Sequence, residues 1–131
     1  MLSVEPGVKL HELAPEFLAL LDDFARGVAA HRYGIQVHVT SANRPGDSGA
    51  HGYGRAVDIR TRLVGWETPD KQMQLALFIA AMWGAYCVKH GYDPDEWGIG
   101  YYALSHPQPH IHLDVRPHVN RDLYAAVWIQ R

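Results

Sequence analysis

The chain has almost no thiol: one cysteine, Cys87, among 131 residues. A single thiol excludes an internal disulfide framework. It also excludes a closed, all-cysteine metal site. Cys87 lies in the apolar stretch 80–88 and reads as core. A dominant charge is missing too. Twelve Lys and Arg face fourteen Asp and Glu, for a net charge of −2 with histidine neutral, and no basic run occurs. That argues against a nucleic-acid partner, which requires a clustered cationic face. The longest apolar run, 75–88, is shorter than the roughly 20 residues that span a bilayer, so no membrane insertion is expected. Residues 1–11 contain Glu5 and no apolar run, so no secretory signal is read. The expected location is the cytoplasm as synthesised, with any action at a cell wall reached by another route. Repeats, low-complexity tracts and linkers are absent as well.

Hydrophobic residues make up 47% of the chain, enough for an ordinary core. The length fits one domain, 1–131, expected as a monomer. Residues 15–31 predict a first helix, with Pro15 at its start and Phe17, Leu20, Leu21, Phe24, Val28 and His31 at helical spacing. Residues 35–41 alternate, with Ile35, Val37 and Val39 on one side and Gln36, His38 and Thr40 on the other, which predicts a half-buried strand. Residues 43–50 are a loop by composition. Strand character returns over 55–60, and residues 61–68 read as a connection. A second helix is predicted over 69–90, closing at Gly91. Strands are predicted over 98–104 and 110–115, and 120–131 reads equally as helix or strand. The sum is an α+β fold: helices flanking a small, largely antiparallel sheet.

The chemistry concentrates in two places. Along the strand containing His110, His112 and Asp114, these three share one face, while Ile111, Leu113 and Val115 share the other. Three titratable groups in a row suit a site, or else a polar strand face in water. Asp58 likewise faces away from Val57 and Ile59. His51 and Asp58 stand seven apart, and Gly52 and Gly54 between them argue against a helix. A tight glycine turn entering a strand would let both reach one ion. Two imidazoles and one carboxylate, with a fourth position left for water, describe a catalytic zinc centre.

Three blocks occur in order: Ser41-Ala-Asn-Arg44, His51-x-x-Gly54-Arg55-Ala56-x-Asp58 and His110-x-His112-x-Asp114. In these the chain resembles the zinc D-alanyl-D-alanine carboxypeptidases and related peptidoglycan peptidases. The amino-terminal signalling domain of hedgehog proteins shares that family's fold and zinc site. The resemblance covers about residues 37–115. It implies a Zn2+ cofactor held by His51, Asp58 and His112. It implies that His110 is a neighbour that hydrogen-bonds substrate or water, or moves protons. Asp114 would orient a histidine. Arg44 would hold a substrate carbonyl or carboxylate through its planar, paired donors.

The chain departs from the family twice. Gly49 stands where relatives carry a serine or similar group. Pro109 stands where many carry a glutamate as general base. His110 is the first substitute for that base, His106 the second, and Asp95 or Glu96 could reach from the preceding loop. The implied reaction is hydrolysis of an amide bond in a peptidoglycan peptide containing D-amino acids, by water activated on zinc. A catalytic domain of this size without a wall-binding repeat resembles phage or prophage lysis enzymes. The rival reading is a zinc-binding, non-catalytic structural or interaction module of the same fold. A third is a tail-associated peptidase of a phage particle. His11, His31, His38, His90 and His118 read as surface or helix-end residues. Tyr53, Tyr101, Tyr102 and Trp97 read as core or groove wall.

Overall fold

In a computed structural model of the chain, residues 2–42, 54–92, 97–102, 110–115 and 127–130 are described. In order they form β1 (Ser3–Val4), a 3-10 turn (Leu10–Glu12), α1 (Pro15–Asp22) continuing as a π-helix (Asp23–Arg32), and β2 (Gln36–Ser41). Then follow β3 (Ala56–Arg62), α2 (Pro69–Lys89), β4 (Trp97–Tyr102), β5 (His110–Val115) and β6 (Val127–Gln130).

The six strands make one sheet in the order β1-β2-β3-β5-β4-β6. The central four pair antiparallel, as expected. Both edges depart from that expectation, because β1 joins β2 and β6 joins β4 in parallel. Parallel neighbours need a long connection. For β1 and β2 it is the whole first helix. At the other edge, Val115 ends β5 beside Trp97, and Val127 begins β6 beside Ile99, so the chain returns near the start of β4. The ambiguous carboxy-terminal segment is therefore strand over β6. β1 has no sequence signature; two residues are too few to show alternation.

The first helix starts as predicted, and Phe17, Leu20, Leu21 and Phe24 are buried. Its second half winds as a π-helix, whose i→i+5 bonds widen the turn. The buried positions there become Ala25 and Ala29, while Val28 is half-buried and His31 exposed. The α-helical spacing that pointed to Val28 and His31 fails once the turn exceeds 3.6 residues. In α2, the Thr68 hydroxyl accepts a hydrogen bond from the Lys71 N–H at 3.3 Å, with Pro69 in the first turn. The chain leaves that helix through Gly91 at φ +89°. A hydroxyl cap with proline behind it and a left-handed glycine after the end are the expected start and stop signals. Among the described residues, no helix is long and apolar enough to cross a membrane.

One contiguous core joins the helices to the inward residues Val37, Val39, Val57, Ile59, Ile99, Ile111, Leu113 and Val115. Trp83 lies at its centre, fully buried and edge-on to Phe24 at 5.0 Å and to Phe17 at 6.4 Å. Trp97 packs over α2, where an added Cβ on Gly84 would come within 2.7 Å of its ring. That contact assigns Trp97 to packing against the helix.

Cys87 is fully buried, as its apolar setting implied. Burial, aided by the Asp114 carboxylate, pushes its thiol up to about 12. The Tyr86 hydroxyl donates to the Asp23 carboxylate, tying α2 to the π-helix. Burial and that carboxylate raise the Tyr86 phenol as well. Unfolding frees both groups to ionise from their ordinary values, 9.0 and 10.0. Their contribution to stability is thus complete below about pH 9 and is lost as the pH climbs toward the raised values. The melting temperature is expected to fall steadily above pH 9. Cys87 is expected to resist a thiol reagent at pH 8 until the protein unfolds; rapid labelling of the native protein would contradict its burial.

Candidate metal centre

The second and third sequence blocks meet on neighbouring strands. In the β3–β5 ladder Asp58 lies opposite His112, and Ala56 lies opposite Asp114. Directly opposed residues project to the same face. The fold therefore brings together two groups that are remote in sequence. His110 follows on that face by alternation along β5.

Local features clear and shape this place. The β2–β3 register shifts between Val39 and Ser41, so Ser41, rather than Thr40, stands opposite Asp58. The Thr40 hydroxyl donates to the Asp58 carbonyl at 3.2 Å. A bulge of this kind re-aims side chains and is common beside functional sites. On the other flank, Gly100 lies opposite His112 and Gly98 opposite Asp114. Neither residue has a side chain directly opposite it on β4. The alternating glycines of Trp97-Gly-Ile-Gly-Tyr101 are the sequence signal for this feature, one that hydrophobic alternation alone does not pick out.

The glycine turn before β3 also has a structural cause. Gly54 has φ +68°, and an added Cβ would meet the Glu12 carbonyl oxygen at 3.0 Å. The Ala14 N–H donates to the Gly54 carbonyl at 2.9 Å. Arg55 forms an ion pair with Glu16 in the first turn of α1, and its carbonyl accepts from the Val115 N–H at 3.1 Å. The Gly-Arg pair of the motif therefore anchors the entry of β3 to the first helix and to β5.

Asp58, His112 and Asp114 are 5%, 8% and 0% exposed. A water-washed polar face therefore does not describe these three residues, while His110 is half-buried. The His112 Nε2 lies 2.5 Å from Asp114 Oδ2. A carboxylate only accepts, so the ring nitrogen carries the hydrogen there. His112 Nδ1 then faces Asp58 Oδ1 at 3.4 Å, and His110 Nε2 approaches the same oxygen at 3.9 Å. Burial alone would lower the His112 pKa, but the Asp114 and Asp58 carboxylates outweigh it and hold the value above the ordinary imidazole range. With Nε2–H committed to Asp114, a bare Nδ1 lone pair would point at a carboxylate oxygen. A proton or a metal cation between them removes that repulsion.

Asp58, His110, His112 and Asp114 are thus gathered in one place. His51, Arg44 and His106 lie outside the described residues, as do Asp95, Glu96, Pro109, Tyr53 and His118. Among the described residues, no group of three or more His, Cys, Asp or Glu side chains is arranged to hold a metal ion. Two of the three expected ligands are accordingly in view. The other histidines take ordinary roles. His11 and His31 are exposed, and the His90 ring sits against Tyr86 with Nδ1 2.9 Å from the Tyr86 carbonyl oxygen. His38 links β2 to the amino terminus: Nε2 is 2.9 Å from Glu5 Oε2, and Nδ1 is 2.7 Å from the Ser3 hydroxyl.

No protein-family model matches the chain, and no curated protein matches it.

Proposed function

We propose that the chain is a zinc-dependent peptidase that hydrolyses amide bonds in peptidoglycan peptides containing D-amino acids, as a D-alanyl-D-alanine carboxypeptidase or a wall endopeptidase of endolysin type. The observation that carries the reading is the buried Asp114–His112–Asp58 line. Asp114 fixes the His112 tautomer with Nε2–H outward to itself, which frees Nδ1 to donate its lone pair. The 3.4 Å between Nδ1 and Asp58 Oδ1 sets a nitrogen and an oxygen donor side by side, as a shared cation would require. Buried carboxylates with imidazoles suit a divalent cation, and a nitrogen–oxygen donor set suits zinc. The motif blocks supply the third ligand, His51, and the substrate class.

Bound zinc would supply a water of pKa near 7 and polarise the scissile carbonyl. The chain's own groups do the rest. Asp58 and His112 would hold the ion, and Asp114, bonded to His112 Nε2, would keep that ring from rotating. His110, 3.9 Å from Asp58, is assigned the proton transfer to the leaving amine. Arg44 is assigned the substrate carbonyl or carboxylate, and His106 is the second candidate for proton transfer.

The test is metal analysis of the purified chain together with turnover of intact peptidoglycan. About one zinc per chain, with release of peptide fragments or free D-alanine, is the expected result. Zinc without fragments from walls of several chemotypes would replace the peptidase with the non-catalytic module. Absence of zinc would end both readings.

A further inference from the structure

Helix α2 carries no charged side chain between Lys71 and Lys89. One face of it packs on the core through Leu75, Ile79, Trp83 and Tyr86. The opposite face of a surface helix is ordinarily polar. Here it is apolar: Leu77, Phe78, Ala81, Ala85 and Val88 are all exposed. By helical geometry these five fall within a stripe roughly 100° wide. Leu77, Phe78 and Val88 are 50%, 41% and 50% exposed. Tyr33, itself 43% exposed, sets its ring edge-on to Phe78 at 5.0 Å and broadens the patch. Single exposed apolar residues are ordinary, but a contiguous patch of a few hundred Å² marks a contact surface.

The stripe is palindromic in size and spacing. Phe78, Ala81, Ala85 and Val88 follow one another at steps of three, four and three residues, large at the ends and small in the middle. Two copies laid antiparallel, about a two-fold axis level with residue 83, bring Phe78 against Val88 of the second copy and Ala81 against its Ala85. The alanines let the two backbones approach, and the large residues close over them from each end. Lys89 then lies across Leu77 of the second copy, its stem on apolar surface and its ammonium in water. A parallel pairing would set Lys89 against Lys89 and Lys71 against Lys71, with like helix ends together.

We propose that the outer face of α2 is the interface of a weak homodimer, two copies of the chain joined antiparallel along this helix. Such a contact is isologous and closes on itself. The patch is smaller than the roughly 800 Å² that each partner contributes to a standard interface, so the pair forms and dissociates readily. The interface does not involve the metal centre and stands apart from the peptidase reading.

The test is sedimentation velocity of the full chain from about 1 μM to about 500 μM. The expected result is a monomer–dimer equilibrium with a dissociation constant of about 10–100 μM. Ala81→Glu and Ala85→Lys both change exposed helical positions to good helix formers, so the melting temperature is expected to hold. Each alone is expected to weaken the dimer at least tenfold, because it sets a charge against apolar surface and near its own symmetry mate. An equimolar mixture of the two is expected to pair within a few-fold of wild type, since position 81 faces position 85 across the axis. A monomer throughout the range, or a dimer indifferent to both substitutions, would overturn the interface. Failure of the mixture to pair would overturn the antiparallel register. Binding of a monomeric chain to phosphatidylglycerol vesicles, lost in Ala81→Glu, would overturn the dimer by making this face a membrane-surface contact.

Discussion

His112→Ala is expected to abolish stoichiometric zinc binding and reduce peptidoglycan cleavage to background, while Asp114→Asn lowers zinc affinity by about 10–100-fold, the usual cost of losing an outer partner of a ligating histidine. The two effects have different causes. The alanine removes a donor atom. The asparagine keeps the donor but offers an amide N–H to His112 Nε2, which favours the tautomer with hydrogen on Nδ1, the atom needed by the ion. Calorimetric zinc titration of both variants, with metal content and wall turnover alongside, separates the two causes. Asp114→Asn binding zinc within twofold of wild type would show that the 2.5 Å contact does not set the tautomer. Acid is expected to act in the same direction. The His112 pKa is raised by Asp114 and Asp58 against the opposing effect of burial, and zinc must displace that proton, so affinity falls as pH drops through the raised value. In the metal-free protein the sign reverses. The charged imidazole contributes stability in full below its ordinary pKa, and that contribution is lost as pH rises through the raised one.

Trp83→Ala is expected to destabilise the fold by about 3–5 kcal/mol, the range for emptying a large aromatic site. At several degrees per kcal/mol for a chain of this size, the melting temperature drops by roughly 10–20 °C. Trp83 is fully buried, with Phe17 and Phe24 at its edge and Tyr86 stacked at 6.4 Å. Its indole N–H donates to the Asp114 carbonyl at 3.3 Å. Removing it opens a cavity and also frees the backbone of the residue that orients His112. Trp83→Phe keeps most of the ring packing and loses the N–H, so it isolates the hydrogen bond at about 1 kcal/mol. Thermal unfolding of the two variants measures both terms. A shift of only a degree or two in Trp83→Ala would mean that the core closes over the gap.

Strand alternation made much of the site legible from sequence. It placed Ile111, Leu113 and Val115 inward, and His110, His112 and Asp114 together on the opposite face, because a period of two is fixed by backbone geometry. It placed Val57 and Ile59 opposite to Asp58 for the same reason. The bounds of α2 followed from Thr68, Pro69 and Gly91, whose preferences are local. Other features carried no local mark. The π winding of residues 23–32 trades one set of small and apolar positions for another and is decided by packing. β1 is too short to announce itself.

By itself, then, the sequence determined which residues share a face, where helices start and stop, and that a titratable row on one strand waited for partners. These properties depend on neighbours within a few residues. Only the tertiary structure decided that Asp58 lies opposite His112, that the register shift at Thr40 sets Ser41 opposite Asp58, and that two glycines of β4 lie opposite His112 and Asp114. It also decided that the row is buried and that Asp114 commits His112 Nε2. Strand order, register and burial arise from contacts between segments distant in the chain, whose energies are settled by the whole sheet closing against its helices.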